Sequence, residues 1–383
     1  MANPQNHLNT KKQSKVILIG LFTDSPSLKN GYQIDELEQL VNTLGGIVID
    51  KIIQYKKTID PKFYIGKGKL QSVLKYAIEQ KCQHVVINND ISPGQIKNIQ
   101  AFFKEKVFIK DRTGIILDIF EKHAKTKESK TQIKLAQSEY LLPRLTRQWT
   151  HLERQIGGIG VRGGPGETQI EIDRRLVRNQ IIKLKKELLK ISGTREVQKK
   201  NRKNVFKVSF VGYTNAGKST LMEKISKKKA YVKDELFATL DTNTRKISID
   251  RNKHFILSDT VGFIRNLPDN LIASFRSTLG ELIDSDLLLK VIDISSIEYE
   301  LHLNSIENVL NHLNISDKKY LIIFNKIDNL KNQLLIKNLK KIYPDSLFVS
   351  AHEGLGIDNI TSKIHAIMIR NNIIKVIKLP YKK

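Results

Sequence analysis

Apolar runs alternate with helix-patterned stretches over the first third of the chain. The runs that predict strands lie at 15–22, 47–52, 84–88 and 107–111. The stretches between them place apolar residues at helical spacing, which predicts helices at 34–46, 69–81 and 93–105. This alternation is typical of right-handed crossovers and a parallel sheet. We therefore predict an α/β domain over residues 1–121.

Residues 122–204 have a polar, basic and helical pattern, interrupted by a glycine-rich loop at 157–166. They contain an apolar stripe with alternating spacings of four and three residues, formed by Val177, Ile181, Leu184, Leu188 and Ile191. The side chains that could cover the stripe from a second helix are Ile133, Ala136 and Tyr140. A neighbouring domain could cover it equally well, so the spacing leaves both partners open. Our prediction for this region is a basic helical hairpin.

A second alternation occupies residues 205–370 and predicts a doubly wound, mostly parallel sheet. The apolar runs that predict its strands are 205–212, 245–250, 254–259, 287–293, 320–325 and 346–350. A short apolar and basic tail, residues 371–383, follows.

Charge changes the picture, because 65 Lys and Arg stand against 39 Asp and Glu and give a formal net charge of +26. A Lys-rich genome can account for part of this surplus. Its size nevertheless predicts a polyanionic partner, either nucleic acid or an anionic membrane surface. Twelve Lys and Arg against two Glu fall within 174–203, beside the apolar stripe. This position favours contact with a phosphate backbone.

The sequence also limits where the protein works. Cys82 is its single cysteine, which excludes an intrachain disulfide and a thiolate metal cluster. The first 15 residues contain no apolar core of signal-peptide type, and no apolar run is long enough to span a bilayer, so we expect neither a signal peptide nor a membrane span. We expect a monomer in the cytoplasm, without a membrane span and without DNA specificity. The positive charge is also compatible with a fraction bound peripherally to membranes.

The segment GYTNAGKS at 212–219 lies between a predicted strand and a predicted helix, as a phosphate-binding loop requires. Glycines let its backbone curl around an anion, Lys218 bridges the β- and γ-phosphates, and Ser219 supplies a hydroxyl to Mg²⁺. The predicted nucleotide contacts are Gly212, Tyr213, Thr214, Asn215, Ala216, Gly217, Lys218, Ser219 and Thr220.

The segment NKID, at the end of a later strand, selects the base. The carboxylate of Asp328 can accept hydrogen bonds from N1 and N2 of guanine, while Lys326 covers the ring and the amide of Ala351 meets O6. The predicted base contacts are Asn325, Lys326, Asp328, Ser350 and Ala351. Their order and spacing after the phosphate loop indicate guanine, so we predict GTP and GDP as ligands.

Two further segments lie where GTPases carry their switches. We expect Asp259 to lie beside the ligands of Mg²⁺ and the Gly262 amide to contact the γ-phosphate. Thr239 is our candidate for contact with both Mg²⁺ and the γ-phosphate, and Thr242 and Thr244 are the alternatives for that role. The predicted contacts are Phe237, Ala238, Thr239, Asp259, Thr260, Val261 and Gly262. We assign catalytic roles to Lys218, Thr239 and Gly262.

Phe263 occupies the position where Ras-like GTPases carry the glutamine that orients the attacking water. A phenyl ring cannot orient water. We therefore predict slow intrinsic hydrolysis that a partner accelerates.

These motifs, with FATL and DTVGFI among them, resemble the translational GTPases of the Obg–HflX superfamily. The segments that resemble the HflX family in particular are IGKGK at 65–69, DRTGIILDIF at 111–120, QSEYLLPRL at 137–145, WTHLERQ at 149–155 and GGIGVRGGPGETQIEIDRR at 157–175. The resemblance covers the chain from about Val16 to the end of the GTPase domain. It implies an N-terminal α/β domain with a helical hairpin subdomain, followed by a P-loop GTPase domain.

The resemblance further implies a GTPase that binds the large (50S) ribosomal subunit and rRNA, is stimulated there, and splits stalled or idle ribosomes under stress. Ribosome binding should be steeply salt-dependent. The glycine-rich stretch lacks a Gly-Lys-Ser ending, and the acidic residues Glu167, Glu171 and Asp173 that follow would repel phosphate. We therefore interpret it as an rRNA-docking loop. The candidate ribosome contacts are Arg162, Arg174 and Arg175.

Two alternatives belong to other classes. One is an RNA-binding or ATP-dependent RNA-remodelling protein with a regulatory GTPase domain, in which IGKGKLQSV at 65–73 would hold a phosphate. That segment lacks the full phosphate-loop pattern, which favours a structural role. The other is a membrane-associated signalling GTPase, for which no lipidation signal is visible.

Overall fold

The computed structural model describes residues 14–23, 26–103, 106–145, 169–200, 205–227, 236–237, 240–250, 253–265, 279–330 and 332–370. The chain divides into two compact units, residues 1–190 and 191–383. No helix in the described ranges is long and apolar enough to cross a membrane.

The first unit contains a four-stranded parallel sheet in the order β2-β1-β3-β4. Its strands are β1 (Lys15–Phe22), β2 (Ile47–Tyr55), β3 (His84–Ile87) and β4 (Phe108–Asp111). The helices between them are α1 (Leu28–Thr43), α2 (Lys67–Glu79) and α3 (Pro93–Phe103). The predicted alternation is confirmed. Because all four strands are parallel, their carboxyl ends lie at one edge of the sheet.

Three more helices follow in this part of the chain: α4 (Arg112–His123), α5 (Lys127–Leu141) and α6 (Gln169–Lys200). Asp111, the last residue of β4, caps α4 by accepting a hydrogen bond from the Gly114 N–H at 2.9 Å. The apolar stripe of α6 finds a partner within the hairpin, because Val177 is buried with Leu145. Leu141, Leu142 and Ile181 pack against that pair.

The second unit contains a six-stranded sheet in the order β10-β9-β8-β5-β7-β6. Its strands are β5 (Lys207–Gly212), β6 (Asn243–Asp250), β7 (Lys253–Asp259), β8 (Leu287–Asp293), β9 (Tyr320–Asn325) and β10 (Leu347–Phe348). Its helices are α7 (Lys218–Ser226), α8 (Gly280–Ile283), α9 (Tyr299–His312), α10 (Gln333–Ile342) and α11 (Ile357–Arg370). All neighbours are parallel except the β6–β7 pair.

This architecture confirms the predicted fold class. One strand is shorter than predicted, because β10 pairs with β9 only at Leu347 and Phe348. Ser350 instead exchanges backbone hydrogen bonds with Leu355, which turns the chain away from the sheet.

Candidate functional site

The loop between β5 and α7 requires glycine at two positions, Gly212 and Gly217. A side-chain carbon at Gly212 would collide with the carbonyl oxygen of Val291, and one at Gly217 would collide with the side-chain amide of Asn325. The backbone also enters the left-handed region at Asn215, with φ of 59°, and at Gly217, with φ of 92°. The loop therefore curls tightly and leads into the N-terminus of α7, an arrangement that favours an anion.

Lys218, the first residue of α7, is buried inside this loop. Its ammonium donates to the carbonyl oxygens of Gly212 at 3.1 Å and Tyr213 at 2.8 Å. Burial lowers the pKa of Lys218 to about 8, while the charge of Asp259 acts in the opposite direction. Because a buried ammonium loses its hydration, a phosphate in the loop would compensate its charge.

Ser219 and Asp259 bring a hydroxyl and a carboxylate together beside the loop. Ser219 Oγ donates to Asp259 Oδ2 at 2.6 Å, and Asp259 is buried at the end of β7. The hydroxyl of the next residue, Thr260, donates to the carbonyl oxygen of Phe210 on β5 at 2.8 Å. Mg²⁺ prefers oxygen donors, so these residues fit a magnesium ion that binds together with phosphates.

The segment after β7 is joined to the phosphate loop by backbone hydrogen bonds. The Thr214 N–H donates to the carbonyl oxygen of Phe263 at 2.7 Å, and the Phe263 N–H donates to that of Gly212 at 3.0 Å. A side-chain carbon at Gly262 would lie 2.8 Å from Thr214 Cα and 3.0 Å from Lys218 Nζ. Val261 before it is buried as well. Gly262 thus lies against the ammonium, while the Phe263 ring is buried in the protein, 1% exposed.

Tyr213 connects the phosphate loop to two other elements, and the motif alone does not predict this. Its ring stacks on His302 of α9 with a centroid distance of 4.0 Å and an interplanar angle of 17°. Its hydroxyl accepts a hydrogen bond from the Arg265 N–H at 2.7 Å, and the Arg265 guanidinium pairs with Glu298 at 2.8 Å. Arg265 lies 52 residues from Tyr213, so no local pattern indicates the contact.

Asn325, at the end of β9, links two loops through one side chain. Its Nδ2 donates to the carbonyl oxygen of Ala216 at 2.9 Å, and its Oδ1 accepts from the Ala351 N–H at 2.9 Å. Lys326 has φ of 64° and pairs with Asp293 at 2.8 Å. The NKID segment is therefore anchored to the phosphate loop before it reaches its last residue.

Asp328 lies exposed on the 3-10 turn Ile327–Asn329. An exposed carboxylate on an anchored turn can accept hydrogen bonds from a planar base. Ser350 is buried, and its hydroxyl accepts from the Glu353 N–H at 3.1 Å, which fixes the loop that carries Ala351. The predicted phosphate and base segments thus lie around the carboxyl ends of β5, β7 and β9, where ligands of open α/β sheets bind.

Comparisons with known proteins decide the family. Models described as GTP-binding GTPase N-terminal, GTP-binding GTPase Middle Region and 50S ribosome-binding GTPase match residues 31–121, 123–202 and 207–326. A relative named GTPase HflX from Flavobacterium psychrophilum is 46% identical and is aligned over 77% of this chain and 71% of its own. The chain belongs to the GTPase HflX family. A family member from Escherichia coli is 41% identical, over 76% of this chain and 68% of its own.

A solved structure agrees with this assignment. The crystal structure of an SsGBP and GDP complex has a TM-score of 0.52 and 26% sequence identity, covering 94% of this chain and 99% of that one. As a member of the HflX family with a P-loop GTPase domain, the chain is an enzyme that hydrolyses GTP. Its nucleotides are GTP and GDP, with Mg²⁺ as the metal.

Some of the predicted switch residues lie within the described ranges and others do not. Ala238 and Thr239 lie outside the described residues, whereas Phe237 is buried with φ of 58°. The rival Thr244 lies within β6, where its hydroxyl is 3.2 Å from that of Ser258, and Thr242 lies just before this strand. The switch threonine therefore stays a prediction.

The candidate ribosome contacts divide in the same way. Arg174 and Arg175 are exposed on α6. Arg162 and the glycine-rich loop 157–166 lie outside the described residues, as does the tail 371–383. The predicted domain boundaries likewise stay predictions.

Proposed function

We propose that the loop 212–219, the segment 259–262 and the segment 325–328 form one GTP site. The observation that carries this proposal is the buried ammonium of Lys218, held in a loop whose glycines exclude side chains. Lys218 would bind the β- and γ-phosphates, while Ser219 would bind Mg²⁺ with Asp259 behind it. Thr239 and the amide of Gly262 would meet the γ-phosphate. A bound Mg²⁺ neutralises the charge that develops on the phosphates.

Asp328 selects guanine in this proposal, and Asp328→Asn tests it. An asparagine would present an amide donor where the carboxylate accepts, which suits the carbonyl at C2 of xanthine rather than the amino group of guanine. We expect GTP affinity to fall by about 100-fold and XTP affinity to rise, measured by nucleotide titration. Asp317→Asn, at another exposed carboxylate of the same unit, serves as the control. Unchanged GTP preference in the Asp328 variant would refute this role.

The same site should hydrolyse GTP slowly without a partner. The Phe263 ring is buried, and the residue is bound through its backbone to Thr214 and Gly212, so its side chain cannot orient water. A partner that supplies this group or orders the switch segments would accelerate the reaction. Single-turnover phosphate release with and without ribosomes measures this acceleration. Fast hydrolysis by the isolated protein would contradict it.

The partner we propose is the ribosome, through its large subunit and rRNA. Residues 207–326 match a family model described as 50S ribosome-binding GTPase. The net charge of +26 and the exposed Arg174 and Arg175 fit a phosphate-rich partner. We propose further that the protein acts as a monomer and splits stalled or idle ribosomes under stress.

Sedimentation of 70S ribosomes tests this function. We expect dissociation into subunits with GTP or a non-hydrolysable GTP analogue, and none with ATP. Arg174→Glu/Arg175→Glu should weaken ribosome binding while GTP binding persists. Lys337→Glu/Lys341→Glu on α10 gives a control with the same charge change at exposed positions. Intact 70S particles under all conditions would refute splitting. A wild-type protein that does not sediment with ribosomes or their subunits would refute ribosome binding altogether.

A further inference from the structure

A groove of about 420 Å³ lies between the start of α5 and the middle of α6, within the first unit. Four lysines dominate its lining, one from just before α5 and three from the first half of α5, and α6 contributes one leucine and one glutamate. The residues concerned are Lys125, Lys127, Lys130, Lys134, Leu184 and Glu187. We call this feature the lysine groove.

The charges of the lysine groove are unbalanced. Glu187 is its single acidic residue, and it pairs with Lys127 at 3.1 Å. Lys130 and Lys134 are exposed, and no carboxylate pairs with their ammonium groups in the described part of the chain. Two cations are therefore available to a ligand.

The spacing of the lysines indicates the size of the ligand. Lys127, Lys130 and Lys134 lie three and four residues apart, which places them on one face of α5. Seven residues of helix extend about 10 Å, so one small anion cannot contact both ends of the row. A polymer with repeated negative charges can. A concave groove also suits a strand better than the flat surface of a membrane.

We propose that the lysine groove binds the phosphodiester backbone of an RNA strand. The proposal rests on the ribosomal function proposed above and adds to it a second RNA contact surface. Leu184 lies about ten residues along α6 from Arg174 and Arg175, a distance of about 15 Å. Binding here is independent of base sequence, because lysine ammonium groups read phosphate charge rather than base edges.

Lys130→Gln/Lys134→Gln tests the groove, with Lys75→Gln/Lys97→Gln as the matched control. The control removes the same charge from exposed lysines of the same unit. The probes are isolated 50S subunits and a poly(U) oligonucleotide, titrated between about 50 and 200 mM salt. Each lost contact to a single strand reduces the slope of log affinity against log salt by about 0.7. We expect the groove variant to lose about 1.4 from this slope and about tenfold in affinity, while the control and basal GTP hydrolysis stay unchanged.

The outcomes separate the two proposals. If the wild type binds tightly and the groove variant has the same slope of log affinity against log salt, the lysine groove does not bind RNA, and the proposed ribosomal function is unaffected. A wild type that binds neither probe overturns the ribosomal function. Competition by a polyglutamate peptide or by anionic vesicles at lower concentration than poly(U) would assign the groove to a protein or membrane partner and overturn the RNA assignment.

Discussion

The two sheets of this protein differ at the carboxyl ends of their strands. At the edge of the first sheet, polar side chains bond to one another. At the edge of the second sheet, glycines remove side chains and a buried lysine is held among carbonyl oxygens. Both edges belong to α/β sheets whose strands are wholly or mostly parallel, so the difference lies in local residues and not in fold class.

Asp111 shows how the first edge is closed. Its carboxylate is fully buried and accepts hydrogen bonds from the Tyr140 hydroxyl at 2.6 Å, the Arg144 guanidinium at 3.1 Å and the Gly114 N–H at 2.9 Å. Burial raises the pKa of Asp111, and these three partners act against that rise. The network joins β4 to α5, and its polar groups hydrogen-bond to one another.

Glycine packing distinguishes the edges as well. A side-chain carbon at Gly68, in the stretch 65–73 that the RNA-remodelling alternative assigns to a phosphate, would meet nothing within 4 Å. One at Gly212 or Gly217 would collide with the neighbouring strand or its side chain. The glycines of the phosphate loop thus differ from Gly68, because they let the backbone pack closely against the neighbouring strands. Removing a group from the closed edge should therefore cost stability, whereas removing one from the open edge should cost ligand.

The largest effect is expected for Asp111→Ala. The change leaves the guanidinium of Arg144, which is only 13% exposed, without its fully buried carboxylate partner, which should destabilise the first unit by about 3 kcal/mol. Hydrogen exchange of the β3 and β4 amides measures the local loss, and GTP affinity should not change. Asp35→Ala, at a carboxylate that is 53% exposed in its pair with Lys51, should cost less than about 1 kcal/mol. A fall in GTP affinity with unchanged exchange would break the comparison.

Lys218→Ala tests the open edge. Charge-assisted hydrogen bonds contribute about 3 kcal/mol, so GTP affinity should fall by about 100-fold. The nucleotide-free protein should keep or gain stability, because the variant no longer buries an ammonium. Nucleotide titration and urea unfolding give the two values, and Lys224→Ala, exposed on the same helix, is the control. Marked destabilisation with retained GTP binding would show that this edge is structural too.

A pH series should sharpen the role of Lys218. Its pKa of about 8 in the free protein lies below the ordinary value of 10.5, and phosphates favour the charged form. GTP binding should therefore take up a proton above pH 8, and affinity should fall by up to about tenfold per pH unit there while staying level near pH 7. Stability of the free protein should move the other way, rising between about pH 8 and 10.5. Residual binding by Lys218→Ala without this pH dependence would support the assignment, and an identical profile would exclude it.

The smallest effect is expected for Tyr213→Phe. This variant keeps the ring on His302 but removes the acceptor of the Arg265 N–H. Losing one such bond costs about 1 kcal/mol, which should lower kcat for GTP about fivefold while KM stays constant. Tyr343→Phe, in the same unit, provides the control. Equal kinetics of the wild type and the Tyr213 variant would mean that the hydroxyl does not position the segment after β7.

The sequence predicted what depends on local pattern. The alternation of strands and helices gave both sheets, and the strand–GYTNAGKS–helix context located the phosphate loop. Contacts between distant segments were not predictable: Tyr140 and Arg144 lie 29 and 33 residues from Asp111. The apolar run of β8 likewise gave no sign that Lys290 is buried within it. This lysine pairs with Glu307, and its ammonium lies 3.5 Å from the centre of the Tyr320 ring.

The switch threonine shows a different limit. Thr239, Thr242 and Thr244 share the hydroxyl that the chemistry needs, and spacing does not rank them. The structure separates one of them from the others by placing Thr244 within β6. Partner helices pose the same problem, because the spacing left either Ile133, Ala136 and Tyr140 or a neighbouring domain as the cover for the stripe at Val177 and did not single out a partner. The tertiary contact with Leu145 supplied it.

The two hydrogen bonds of Asn325 have a consequence for how the enzyme reads its substrate. One side-chain amide links the phosphate loop, at Ala216, to the predicted base loop, at Ala351. Occupying either end therefore lowers the entropy that remains to be lost at the other. The binding free energies of guanosine alone and of pyrophosphate alone should therefore add up to less than the binding free energy of the whole nucleotide. We therefore expect pyrophosphate to raise the affinity for guanosine, which titration of guanosine with and without pyrophosphate measures.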